Sequence, residues 1–138
     1  MIIFIFTEEY ESNFSINQTE FFMMEEDYIR KFVENVLIEK INFVRATFKE
    51  ASIFRDRIYE VISMKQYKIV IDLTRCQFID STFLGALVMI LKRVTERGGE
   101  LKLVIPNTEA FKIMDTMGLY RVFNIYNTES EAVNSFSA

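Results

Sequence analysis

The chain has 138 residues, half of them apolar, which is enough to bury one hydrophobic core and too little to call for a second domain. Its net charge of −4 is unevenly spread: residues 1–27 hold seven carboxylates and no Lys or Arg, leaving 13 acidic against 16 basic residues, about +3, for the remainder. Those basic residues fall singly among Glu and Asp, which excludes a nucleic-acid footprint, and the lack of any His removes the commonest metal ligand and every Ser-His or Cys-His nucleophile pair.

Residues 1–27 read as an acidic N-terminal extension and residues 28–138 as the folded domain. The opening Met-Ile-Ile-Phe-Ile-Phe is too short to span a bilayer and runs straight into Thr-Glu-Glu, so neither membrane insertion nor a signal peptide is expected. Two readings of the extension stay open: a loose acidic segment, or a product of start-site choice with Met23 or Met24 as the real beginning, on one side, and on the other a strand, Ile2 to Phe6, added to the sheet edge or to a partner. From Tyr28 to Ala46, apolar and polar residues alternate roughly, as in one or two strands. Thr47-Phe48-Lys49-Glu50 has the spacing of a capping box. It predicts a helix whose buried stripe is Ala51, Phe54, Ile58, Val61 and Ile62.

Tyr67 to Leu73 reads as a buried strand. Cys76, the only cysteine, rules out an internal disulfide and fits a reducing cytoplasm. Residues 78–85, Phe-Ile-Asp-Ser-Thr-Phe-Leu-Gly, then turn the chain into a helix over 82–97, with Leu84, Leu87, Val88, Leu91 and Val94 as its inward stripe. Gly98-Gly99 ends that helix before a second apolar strand, Leu101 to Ile105. Strand, helix and strand make a right-handed βαβ crossover with parallel strands, which puts Ser81 at the carboxyl end of the sheet, where α/β folds place their sites. Pro106-Asn107-Thr108 stops the strand and starts a short helix with Ala110, Phe111 and Met114 inward and Gly118 as its C-cap. Val122 to Tyr126 is the final strand, and Thr128-Glu129-Ser130-Glu131 is a capping box that opens a last helix running through Phe136.

Asp80 and Ser81 stand where a helix exposes free N–H groups and the positive end of its dipole. Either residue caps the helix. A phosphate added to Ser81 would bring a charge of about −1.5 to −2 that the helix donors hold, that Asp80 repels and that an apolar or acidic partner surface rejects. Partner contacts are expected from Thr82, Phe83, Ala86, Met89 and Arg93, with Asp80 and Gly85 shaping the turn and cap. An outward Met beside a small Ala is adaptable contact surface. Ile90 is expected to widen the core contact.

The chain resembles the STAS domain family, whose best-known members are bacterial anti-sigma factor antagonists. The resemblance rests on the Ile-Val-Ile-Asp-Leu strand (69–73), the Phe-Ile-Asp-Ser-x-x-Leu-Gly turn (78–85), the helix end Glu-Arg-Gly-Gly (96–99) and the Leu-Lys-Leu-Val strand (101–104). The Met-Gly-Leu-Tyr-Arg-Val-Phe segment (117–123) and the run from Arg45 to Phe54 extend it over roughly residues 30–138. It implies a single α/β domain with a mixed, mostly parallel sheet and helices packed on it. By the same resemblance, Ser81 is the serine phosphorylated by a partner kinase, with Thr82 a second choice. The resemblance further implies that the anti-sigma factor is that serine kinase and that a PP2C-type phosphatase resets the switch, and the chain itself is expected to be cytoplasmic, to be no enzyme and to need no cofactor. One departure stands out: many members have Gly where this chain has Phe83.

Other readings remain open. A STAS scaffold or transporter-accessory subunit without phosphorylation is favoured by Phe83. Asp72 near a strand end invites comparison with the phospho-accepting aspartate of a receiver domain, but the further acidic residues that would hold Mg²⁺ are missing. Asp72 is expected instead to anchor the turn after Leu73. An enzyme built on Asp72, Asp80 and Ser81 would still need an oxyanion stabiliser, a phosphate loop or metal spacing, and the sequence has none.

Overall fold

A computed structural model describes residues 3–6, 21–106 and 111–137. Seven strands form one sheet in the order β1 (Ile3–Phe6), β2 (Phe21–Met24), β3 (Tyr28–Val33), β4 (Val36–Ile41), β6 (Lys68–Asp72), β8 (Glu100–Val104) and β9 (Asn124–Tyr126). β1 to β4 are antiparallel, whereas β4, β6, β8 and β9 run parallel. Two short strands, β5 (Arg45–Ala46) and β7 (Phe78–Ile79), pair parallel outside that sheet. The helices are α1 (Phe48–Ser63), α2 (Ser81–Glu96), α3 (Lys112–Thr116) and α4 (Glu129–Asn134).

Alternation along each strand sorts the core into two layers. Leu37, Ile41, Ile69, Ile71, Leu101 and Leu103 join the buried faces of α1 and α2, while Val36, Ile38, Val70 and Val104 join Ala132 and Val133 of α4 on the opposite side. Parallel strands covered on both faces are apolar at every position, which is why β6 reads as a continuous run. The crossover from β6 through α2 to β8 pairs the strands in parallel, with Ile69 opposite Leu101.

Local signals place the elements well. Thr47 accepts from the Lys49 N–H, and the Glu50 carboxylate accepts from the Thr47 N–H at 2.9 Å, completing the capping box of α1. Thr128 caps α4 by accepting from the Glu131 N–H at 3.1 Å. Gly98 at φ +76° leads the chain out of α2. The Tyr28–Ala46 region holds three strands rather than one or two. β3 and β4 are joined by a two-residue hairpin turn at Glu34 (φ 50°) and Asn35 (φ 61°), a left-handed pair in which the Glu hides the usual turn signal. The last strand is shorter than predicted, starting at Asn124, because a single 3₁₀ turn over Leu119–Arg121 takes up the preceding residues. The predicted inward Ala110 lies outside the described residues.

One ionic cluster ties β3 and β4 to α1. Glu39 points to the helix side of β4 and is fully buried. It accepts from Arg30 (Nε to Oε1, 2.8 Å; Nη2 to Oε2, 2.9 Å) and from Arg57 of α1 (Nε to Oε2, 2.6 Å). Arg57 also reaches Glu25 and lies 4.2 Å over the Tyr28 ring. Burial, partly offset by that guanidinium, pushes the Tyr28 phenol up to about 12.

Candidate functional site

The β5–β7 pair brings the start of α1 beside the start of α2. Arg45 lies opposite Phe78 and Ala46 opposite Ile79, and the Asp80 N–H donates to the Ala46 carbonyl at 3.0 Å. Asp80, extended at φ −103° and ψ 172°, is the N-cap of α2, and its Oδ1 accepts from the Phe83 N–H at 2.9 Å. Its second oxygen has another task. Oδ2 accepts from the Phe48 N–H at 2.8 Å, so one carboxylate holds the first turns of two helices. The capping box of α1 leaves the Phe48 donor without an intrahelical partner, and a residue 32 positions away supplies it.

Ser81 is the first residue of α2 and is exposed, as is Thr82. Among the described residues neither N–H group has a hydrogen-bond partner. The geometry is an exposed hydroxyl beside two free backbone donors, at the point where two helix N-termini converge, which suits a negative charge on the hydroxyl.

The structure revises how α2 is turned. Phe83, expected on the partner surface, is fully buried. Its ring stacks on Phe54 (centroids 4.9 Å apart, 22°) and meets Phe43 edge-on at 6.0 Å, within a cluster completed by Tyr28. Ala86, also expected to face a partner, is buried in the same core, as is Ile90. Val88, expected inward, is 38 % exposed, and Leu91 is only partly buried. The inward face is Phe83, Leu84, Ala86, Leu87, Ile90 and Val94, because α2 packs against α1 as well as the sheet and its apolar arc is wider than a single stripe. Gly85, expected to shape the turn, lies one turn inside the helix and caps nothing.

Besides Thr82, two residues expected at the partner surface lie toward solvent. Met89 is 46 % exposed, and Arg93 is half-buried with its guanidinium 4.0 Å over the Tyr59 ring. With Lys92 and Glu96 they line a shallow cleft of about 300 Å³ between the helices. The sequence reading missed the apolar surface on the other side of Ser81. Phe48 is 65 % exposed, Val44 52 % and Phe78 38 %, with the Arg45 guanidinium 4.2 Å over the Phe78 ring. Phe48 sits at the first helical position after a capping threonine, where a bulky apolar side chain has no core to enter, and that was the available signal.

Asp72 is not part of this site. It is buried on the α4 side of the sheet and accepts from the Thr74 N–H (2.8 Å) and hydroxyl (2.7 Å), anchoring the turn after Leu73. Burial alone would raise its carboxyl. Hydrogen bonds from Glu129 and Thr74 and the Lys40 charge outweigh that and hold it below the ordinary value, while Glu129, itself raised by burial and by Asp72, pairs with Lys31 at 2.9 Å. A phospho-accepting aspartate needs access that Asp72 lacks. Among the described residues no group of three His, Cys, Asp or Glu side chains could hold a metal ion, and no helix is long and apolar enough to cross a membrane. Cys76 is buried, its thiol donating to the Phe43 carbonyl at 3.3 Å, and burial pushes it up to about 12.

A family model described as STAS domain matches residues 20–132. The chain belongs to the STAS domain family. This STAS domain is 36 % identical over 104 residues to a Thermotoga neapolitana protein provisionally named an anti-sigma factor antagonist, covering 75 % of this chain and 91 % of that one. It is 31 % identical over 80 residues to the anti-sigma F factor antagonist of Paenibacillus polymyxa, covering 57 % and 68 %. Its fold is similar to the crystal structure of a Thermotoga maritima protein, also provisionally named an anti-sigma factor antagonist, with a TM-score of 0.75 at 29 % identity over 80 % of this chain and 95 % of that one. The matched span contains β3 to β9 and the whole Ser81 corner, so the mixed α/β fold with a mostly parallel sheet is that of the family.

Proposed function

We propose that this STAS domain is an anti-sigma factor antagonist that binds an anti-sigma serine kinase through the Ser81 corner and the exposed face of α2, and that phosphorylation of Ser81 releases it. The observation that carries the reading is the exposed Ser81 hydroxyl beside its own and the Thr82 free N–H groups, on a helix start already fixed by Asp80. A phosphate there is held by helix donors, so the fold survives. The same phosphate puts about −1.5 to −2 of charge in the middle of a surface whose neighbours are Phe48, Val88 and Met89, and a partner packed on that surface must desolvate it. Related proteins bearing the name anti-sigma factor antagonist support the class of partner.

In this reading Thr82 is the second-choice acceptor, Asp80 holds the corner, and Met89 and Arg93 belong to the docking face. Phe83 and Ala86 act from beneath it as core. The kinase brings ATP, so the chain needs no cofactor of its own, and a PP2C-type phosphatase would restore the unmodified serine. The protein works as a cytoplasmic binding module rather than an enzyme. Turnover of nucleotides or esters by the purified chain, lost in Ser81→Ala, would overturn that.

The alternative of an unphosphorylated scaffold or transporter-accessory subunit drew its support from a bulky Phe83 beside the acceptor. With the ring buried on Phe54, that obstacle is gone. The deciding experiment incubates the chain with ATP and its cognate anti-sigma kinase and maps the modified residue by mass spectrometry, alongside binding of Ser81→Ala and Ser81→Asp. Modification at Ser81, with Ser81→Ala binding and Ser81→Asp not, is expected. Equal affinity of the two variants would refute the switch.

A further inference from the structure

All four glycines of the chain lie within the described residues, and three have a reason inside the fold. Gly98 and Gly118 sit at positive φ, and a Cβ on Gly99 would collide with the Tyr67 carbonyl. Gly85 has none: its φ is ordinary, and a Cβ there would meet nothing within 4 Å. Glycine is the least favourable residue in a helix interior after proline, so the isolated domain is weakened by a missing side chain that its own packing never uses.

Gly85 lies one turn beyond Ser81 and one turn before Val88 and Met89, the exposed apolar residues of α2; all four share the solvent side of the helix. One turn farther, Lys92 is exposed and has no hydrogen bond or ion pair among the described residues. Arg93 and Arg97 follow, with Glu96 as the only carboxylate on this stretch. The face therefore grades from a phosphorylatable hydroxyl through a notch and an apolar step to a basic end.

Resting on the function proposed above, we infer that Gly85 is the point of closest approach of the anti-sigma kinase. A segment of the kinase crosses α2 there backbone to backbone, sets an apolar side chain on Val88 and Met89, and places a carboxylate against Lys92. A segment so close to Ser81 has no room for a phosphate, which ties release to this contact. The occupant is acidic and apolar by charge complementarity with Lys92, Arg93 and Arg97.

The test measures, on the full chain, thermal stability and affinity for the purified kinase that phosphorylates it. Gly85→Ala is expected to raise Tm by about 4 °C, since alanine favours the helix, yet to weaken binding roughly tenfold or more. Lys92→Glu is expected to weaken binding at low salt, with the loss shrinking as salt is added. Wild-type affinity in Gly85→Ala, or a lowered Tm, overturns the inference. If Ser81→Asp still abolishes binding while Gly85→Ala binds normally, only the close approach falls. If both bind as wild type, the function proposed above falls with it.

Discussion

Replacing Asp80 by alanine removes one carboxylate from two helices at once. The bond to the Phe83 N–H is an ordinary N-cap, worth about 1 kcal/mol. The bond to the Phe48 N–H is charge-assisted but open to solvent, so water replaces it in the variant and its loss costs roughly 0.5–1.5 kcal/mol. Taking a negative charge from two adjacent helix N-termini adds about 0.3–1 kcal/mol. Together these predict that Asp80→Ala destabilises the domain by about 2–3 kcal/mol, measured as a lower urea midpoint at unchanged m-value and a Tm drop of about 8–10 °C. Asp80→Asn keeps one oxygen acceptor and a good cap residue but loses the charge and one of the two bonds, and about half the loss is expected. A loss below about 0.5 kcal/mol in Asp80→Ala, or no measurable loss in Asp80→Asn, would refute the bridging role, because an N-cap serving α2 alone predicts near-neutrality for asparagine.

Phe83→Ala leaves a cavity between Phe54 and Phe43, and a loss of about 3–5 kcal/mol in urea unfolding is expected; less than about 1 kcal/mol would mean that the ring is not a core residue. Glu39→Ala strands Arg30 and Arg57 and is expected to cost about 3–5 kcal/mol, whereas an apolar triple replacement of Arg30, Glu39 and Arg57 should recover most of it; equal losses in the single and triple variants would contradict a desolvated ion cluster. The Cys76 thiol is raised by burial from 9.0 to about 12, so the stability it contributes is complete below pH 9 and is lost as pH rises toward 12. Unfolding free energy measured across that window should fall less steeply in Cys76→Ala than in the wild type, and parallel slopes would show that the thiol ionises freely in the folded protein.

How much of this was legible in the sequence depends on how far apart the deciding residues lie. Thr47 with Glu50, Thr128 with Glu131, and Gly98 each act within one helical turn, so the residues that make the contact also spell it. The apolar runs of β6 and β8 and the Asp80-Ser81 turn into the helix between them were readable for the same reason, and they place Ser81 on a strand-to-helix corner. How wide the buried face of α2 is was not readable: Leu84, Leu87, Ile90 and Val94 were expected inward, but only the presence of α1 beside the helix adds Phe83 and Ala86 and leaves Val88 outside. The second bond of Asp80 spans 32 residues, and the Arg57 bond to Glu39 spans 18.

The sequence by itself determined the family fold, the corner and the exposed serine on it, since backbone propensity, capping and periodicity are local properties of the chain. Only the tertiary structure decided that Phe83 supports the site from below, that Asp80 joins two helix ends, and that Gly85 opens a notch the fold does not need. Each of those follows from what packs beside the residue, and packing partners are brought together by the sheet, not by proximity along the chain.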